Sequence, residues 1–322
     1  MGRFWFTLRL LASCASIVNL VDCGAGSGPL EPQQNGLGNS VARRLREKPA
    51  DVSPAYQSSG LLLFVANTAN EVEIYPAGKL KKNPKPVATI TDAIGCPSSL
   101  AMDKQGALYV ANECAGVYAD YSVTEYPKGQ TTHSVTLTDG IDYPAGLAVD
   151  KALTLYVSNL RGTPNISEYP SGATSPSRVI SGQGLTAPWG LTLDAKQNLY
   201  VADYVTDQIF KIPKGTSNVN PLDLQGLKRP IALAFDSLGN LWVADMKGFV
   251  NVYPPGKRTP SETLSDGYTT PFAISEDAGG TVIVANWHDP DAVYEYAPGQ
   301  FSAEATLTKD IRESTGVVIG QP

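Results

Sequence analysis

Short apolar runs alternate along this chain with polar clusters rich in Gly, Pro, Asn and Asp, and six of the runs repeat one phrase. It reads Leu63-Phe64-Val65-Ala66-Asn67, Leu108-Tyr109-Val110-Ala111-Asn112, Leu155-Tyr156-Val157-Ser158-Asn159, Leu199-Tyr200-Val201-Ala202-Asp203, Leu241-Trp242-Val243-Ala244-Asp245 and Val282-Ile283-Val284-Ala285-Asn286. Successive copies lie 45, 47, 44, 42 and 41 residues apart. Runs of this length, bounded by turn formers, predict strands rather than helices. Strand content with a period of about 40–45 residues predicts a β-propeller, one four-stranded blade per repeat.

The rest of each repeat supplies the other strands. A Pro-x-Gly-Leu-Ala-x-Asp-like segment precedes the phrase at residues 97–103, 144–150, 188–194, 230–236 and 271–277. A Tyr-Pro-x-Gly-like turn follows it at 75–78, 126–129, 169–172, 212–215, 253–256 and 296–299, and then a β-prone run such as 86–90 or 134–137. We label the four strands A to D from the axis outward. Small residues in A and B (Ala101, Ala148, Ala234, Ala273, then Ala66, Ala111, Ala202, Ala244, Ala285) suit the crowded axis, and the tyrosines of strand C suit the gap where blades splay. The Asp that ends strand A (Asp103, Asp150, Asp194, Asp236, Asp277) is placed to accept hydrogen bonds from the amides of the following turn. The first repeat opens at its strand B, near Leu61, while the segment Gly316-Val317-Val318 near the C-terminus falls at the strand A position. The expected architecture is therefore all-β: six blades, the C-terminal strand completing the first and removing two open sheet edges.

On these motifs, residues 61–322 resemble NHL-type propellers, and more closely exported bacterial NHL-repeat proteins and lipoproteins with repeated Val-Ala-Asn and Tyr-Pro-x-Gly motifs. The resemblance implies fold rather than ligand, because the Asn-x-Arg that usually follows strand B is missing here. WD40 is disfavoured by the absence of Gly-His and Trp-Asp signals, and kelch because a double glycine occurs once, at Gly279-Gly280.

Composition then narrows the partners. The chain has 322 residues and a formal net charge of −6. Residues 1–60 hold six Lys/Arg and four Asp/Glu, so the propeller carries −8. No nucleic-acid footprint is expected on such a surface. Residues 1–23 read as an export signal, with Arg3 before the apolar stretch 10–21. Cys23 precedes Gly24-Ala25-Gly26-Ser27-Gly28 and resembles a lipoprotein start, with Cys14 and plain secretion as the alternatives. Residues 24–60 read as a flexible tether, in which the basic cluster 43–48 is a solvated patch or a contact for anionic lipid. The expected location is the periplasm or outer surface of a bacterial cell envelope. In that oxidising setting Cys96 and Cys114, each nine residues from the hairpin turn near Gln105, are expected to pair.

Catalytic chemistry has little support. His133 and His288 are the two histidines, with no zinc-ligand spacing, no Gly-x-Ser-x-Gly elbow and no phosphate-cradling loop. The loops entering strand A and leaving strand B form the face on which propellers usually bind. One Asx per blade falls there: Asn67, Asn112, Asn159, Asp203, Asp245 and Asn286. Its presence in every repeat suits capping of the B–C turn. The residues that break the repeat are the better ligand contacts: Trp189, Tyr204 and Trp287, with Tyr143, Phe272, Arg161, Asp203 and Asp245 on the same face. Glu113 and Lys247 join them in the loops. The favoured reading is a non-catalytic binding or scaffold propeller for a protein, peptide or glycan, without a cofactor. The alternative, by resemblance to six-bladed lactonases and streptogramin lyases, is a hydrolase or lyase using one divalent cation such as calcium, held by Asn112, Asn159, Asp203 and Asp245.

Overall fold

The structure, a computed structural model, describes residues 60–114, 121–265 and 267–321. The export signal, Cys14, Cys23 and the tether up to residue 59 lie outside the described residues. Each repeat folds as an antiparallel sheet. The first contributes β1 (Leu62–Asn67), β2 (Glu71–Pro76) and β3 (Ala88–Ile90); the second, β4 (Pro97–Met102), β5 (Leu108–Asn112), β6 (Ser122–Tyr126) and β7 (Val135–Leu137). The third is β8 (Pro144–Val149), β9 (Leu155–Asn159), β10 (Asn165–Tyr169) and β11 (Arg178–Ser181), and the fourth β12 (Pro188–Leu193), β13 (Leu199–Asp203), β14 (Gln208–Ile212) and β15 (Asn220–Pro221). The fifth is β16 (Pro230–Phe235), β17 (Leu241–Asp245), β18 (Phe249–Tyr253) and β19 (Glu262–Leu264), and the sixth β20 (Pro271–Glu276), β21 (Val282–Asn286), β22 (Ala292–Tyr296) and β23 (Ala305–Leu307). The last strand, β24 (Ser314–Gly320), returns to pair with β1, giving the order β24-β1-β2-β3. The protein is thus a six-bladed propeller of four-stranded blades closed by its C-terminal strand.

The innermost strands pack side by side in the order β24, β4, β8, β12, β16, β20 and back to β24. Approach at this ring is close enough to exclude side chains. A Cβ on Gly146 would collide with the Trp189 carbonyl oxygen, and one on Gly190 with that of Ile231. Neighbouring blades also cover the open edges: the Leu147 amide donates to Ser99 Oγ and the Ile319 amide to Ser275 Oγ, both at 3.2 Å. Farther out, Tyr75, Tyr126, Tyr169 and Tyr253 are buried between blades, and each hydroxyl donates to a carbonyl of the loop leading into its own blade's strand A (Lys309, Asp92, Asp139 and Gln225). The strand C tyrosines therefore fill the taper and also anchor those loops.

The Asp that ends strand A does what its spacing implies. In Asp103, Asp150, Asp194, Asp236 and Asp277, Oδ1 accepts from the amides two and four residues on, at 2.8–3.0 Å. One expected turn differs. Residues 75–78 continue into a 3-10 helix, Ala77–Lys82, because blade 1 has a longer link between β2 and β3. The helix places Leu80, 2% exposed, among core side chains of blades 6 and 1.

Candidate functional site

The candidate face is built from the loops between strands D and A and between strands B and C. A β-bulge opens strand A in every blade, for example between Pro97 and Ser99, Pro144 and Gly146, Pro188 and Leu191, and Pro271 and Ala273. Bulges re-aim side chains, and here the residue after the proline, Ser98, Ala145, Trp189, Ile231 or Phe272, lies within the irregularity.

Two of these residues carry large rings and meet across an intervening blade. Trp189 of blade 4 and Phe272 of blade 6 have centroids 6.0 Å apart, edge to face. Tyr204 packs on Trp189 at 5.6 Å and Trp287 on Phe272 at 6.0 Å, with the His288 ring 5.7 Å beyond Trp287. The result is one continuous row of rings from blade 4 to blade 6. Trp189, Phe272 and Trp287 are only 6%, 8% and 9% exposed, so they form a packed floor rather than an open platform. Tyr204 is half-buried at the end of the row, with the Arg229 guanidinium 5.5 Å over its ring. Trp287 Nε1 is buried with no acceptor among the described residues.

A second group lies on blades 2 and 3. The Glu113 carboxyl is bonded to the hydroxyls of Ser98 and Tyr143, and burial pushes it up to about 8 despite those bonds. Ser98 Oγ also lies 2.7 Å from the Pro144 carbonyl, which takes the hydroxyl's single proton. A protonated Glu113 completes this arrangement by donating to Ser98 and accepting from Tyr143. Tyr143 sits at φ +59° directly before strand A and packs edge to face on Tyr121 at 5.5 Å. The exposed Arg161 donates from Nη1 to the Tyr121 hydroxyl at 2.9 Å.

The folded state holds the Glu113 proton more tightly than an unfolded chain does, whose carboxyl titrates near 4.5. Stability must therefore fall as pH rises from about 4.5 to about 8 and then level off. Glu276, on strand A of blade 6, is also pushed up to about 8, by burial and then by Asp236 and Asp277, and acts in the same direction. We expect a lower melting temperature at pH 8 than at pH 5.5, and a shallower fall in Glu113→Gln. An unchanged slope in that variant would contradict the buried neutral carboxyl.

The repeated Asx residues are buried and fully engaged. Asn112 Oδ1 accepts from the Gly95 amide at 2.9 Å, Asn159 Oδ1 from Asp142 at 3.0 Å and Asn286 Oδ1 from Thr270 at 2.9 Å. Asp203 Oδ2 accepts from the amides of Thr186 and Ala187 at 2.7 and 2.8 Å, and Asp245 from those of Lys228 and Lys247 at 2.5 and 3.0 Å. Their recurrent task is thus to hold the loop entering strand A, some 16–17 residues earlier in five of the blades. Capping of the B–C turn, the expected role, is secondary, as with Asp203 Oδ1 and the amide of Thr206 at 3.1 Å. Asn112, Asn159, Asp203 and Asp245 each face their own blade's loop. Among the described residues no three His, Cys, Asp or Glu side chains group as a metal-ligand set.

Cys96 and Cys114 are disulfide-bonded, with Cα atoms 5.2 Å apart. The bulge in β4 removes simple symmetry about the turn. The ladder instead continues through the Glu113 amide to the Cys96 carbonyl at 3.1 Å and the Cys114 amide to the Gly95 carbonyl at 3.3 Å. Closing this loop contributes about 3 kcal/mol by chain-entropy scaling. Denatured but unreduced protein should leave both cysteines unalkylated by mass; two alkylated thiols would show that no bridge forms. Of the histidines, His133 bonds through Nδ1 at 2.6 Å to Asp92, in the loop leading into strand A of blade 2, while His288 is exposed and 3.7 Å from Glu313.

No protein-family model and no curated protein matches the chain. Among solved structures it is similar to a chain of a nidogen/laminin complex, at 21% identity and TM-score 0.66 over 81% of this chain and 98% of that one. It is also similar to a protein of unknown function from Bacteroides caccae (12% identity, TM-score 0.63, covering 82% of this chain and 100% of that one). A third likeness is to the WD40 β-propeller domain of Doa1 (11% identity, TM-score 0.56, 73% and 74%). At these identities the likeness is one of fold, that of a β-propeller.

Proposed function

We propose that this protein is a non-catalytic binding or scaffold propeller of NHL type, exported to the bacterial cell envelope, that takes a protein, peptide or glycan at the mouth of its channel. The observation that carries this reading is asymmetry on a symmetric scaffold. The Asx residues do the same structural work in blade after blade, whereas the residues around the mouth differ: an aromatic row on blades 4 and 6, a hydroxyl–carboxyl group on blades 2 and 3. A ligand would rest on Tyr204 and Tyr143 above the Trp189–Phe272–Trp287 floor. The disulfide supports an oxidising compartment, and the N-terminal pattern supports export with a lipid on Cys23.

Glycan and peptide arrays probed with the full-length protein test the binding role. Tyr204→Ala or Tyr143→Ala should weaken capture about tenfold or more, as truncation of a binding hot spot does. Divalent-metal-dependent hydrolysis of a lactone that disappears in Asp203→Asn would replace this reading with the metal-enzyme alternative. For the anchor, Cys23→Ser should release exported protein from the membrane fraction; release by Cys14→Ser instead would move the lipid to that residue.

A further inference from the structure

A cationic strip interrupts this acidic propeller at the rim of blades 4 and 5. Asp245 builds it: its carboxylate accepts from the backbone amides of both Lys228 and Lys247, which brings the loop before β16 and the loop after β17 together. The Met246 amide closes the same junction on the Arg229 carbonyl at 3.1 Å. Three cations, Lys228, Arg229 and Lys247, thus stand side by side, all exposed, and none is ion-paired among the described residues. Arg229 is held at φ +72°, its amide bonded to Asp207 Oδ1 at 2.8 Å and its guanidinium over Tyr204. The guanidinium fork suits a carboxylate, which it can meet with two parallel N–H groups. Beside it Val205 is 51% exposed, one of the few large apolar side chains open to water.

We infer that this strip docks an acidic peptide segment of a partner protein, its carboxylates on Lys228, Arg229 and Lys247 and an apolar residue on Val205 and Tyr204. This rests on the channel-mouth binding reading and names the chemistry of its ligand. Side chains of consecutive residues such as Lys228 and Arg229 diverge, so the strip matches anions spaced along a chain rather than one small anion. Nucleic acid would also offer spaced anions, but the net −8 of the propeller opposes a long polyanion.

Fluorescence anisotropy of full-length protein tests this, using a labelled peptide of alternating Glu and Leu, its Lys–Leu counterpart and a labelled RNA oligonucleotide of equal length. The acidic peptide should bind best, more weakly as salt rises. The double variant Lys228→Glu/Lys247→Glu should weaken it at least tenfold, since both backbone amides remain for Asp245 and the fold is kept; an unchanged melting temperature checks this. Absent binding of the acidic peptide, or tighter binding of RNA or the basic peptide, overturns the inference. If peptide binding survives the double variant but is lost in Tyr143→Ala, the mouth binds elsewhere and only the strip is wrong. If it survives both, the channel-mouth reading fails too.

Discussion

Deleting residues 315–322 is expected to abolish cooperative folding of the propeller near physiological temperature. The truncation removes nearly all of β24, which pairs with β1 along its full length from Leu62 to Asn67. Val317 and Ile319, 4% and 7% exposed, leave the cluster they share with Leu63, Val65 and Ile283. Each such side chain contributes about 1.5–3 kcal/mol when buried. The Thr315 hydroxyl also loses its bond to the Pro97 carbonyl, which joins blade 1 to blade 2. With β1 unpaired on its axial side, the ring opens and its core is exposed to water. Against a total stability of about 5–15 kcal/mol, the sum is decisive. Circular dichroism melting and size-exclusion chromatography should show early unfolding and aggregation. A monomer with unchanged melting would mean that the ring closes in another way.

Asp203→Ala should have the largest effect of the point variants, although the position lies on the candidate face. Its carboxylate is fully buried and accepts from the Thr186 and Ala187 amides, the Thr186 hydroxyl and the Thr206 amide and hydroxyl, at 2.7–3.1 Å. Alanine leaves those donors buried and unmatched, a loss of about 3 kcal/mol or more. For a domain of this size that is a fall in Tm of about 6 °C or more. Asp203→Asn should cost less than Asp203→Ala, because its Oδ1 can still accept the loop amides as in Asn112, Asn159 and Asn286, although its NH2 then faces the Thr206 amide and leaves that donor unmatched. Differential scanning calorimetry of the two variants checks the contrast. Equal, large losses would mean that the second oxygen, which accepts from Thr206, matters as much as the one that holds the loop.

The fold was legible because the repeat is written at several levels that agree. The apolar phrase marks strand B, the Pro-to-Asp segment marks strand A, and the phase offset between Leu61 and Ser314 reveals the closure. The Asp at the end of strand A was legible for the same reason, since its partners lie two and four residues away. The site was harder to read where partners are distant or the backbone departs from regular pairing. Asn159 sits beside the B–C turn in sequence, yet its Oδ1 bonds to Asp142, 17 residues earlier. Trp189 and Phe272 occupy equivalent repeat positions, but only the bulges bring two rings from non-adjacent blades together and bury them. Glu113 appeared only as a charged loop residue beside Lys247. Its raised pKa comes from burial, beside Ser98 and Tyr143, whose positions follow from the bulge in β4 and the positive φ at Tyr143. The cationic strip was equally hidden, because Lys228 and Lys247 meet only through Asp245.

Hydrogen–deuterium exchange on the full-length protein, with and without the tightest array ligand, tests most directly whether this propeller binds at its channel mouth. Protection should concentrate in the loops around Glu113, Tyr143, Tyr204, Arg229 and Trp287, with the A–B turns at Asp103, Asp150 and Asp194 unchanged. Protection confined to those A–B turns or to the outer strands β7, β11 and β19 would contradict the account.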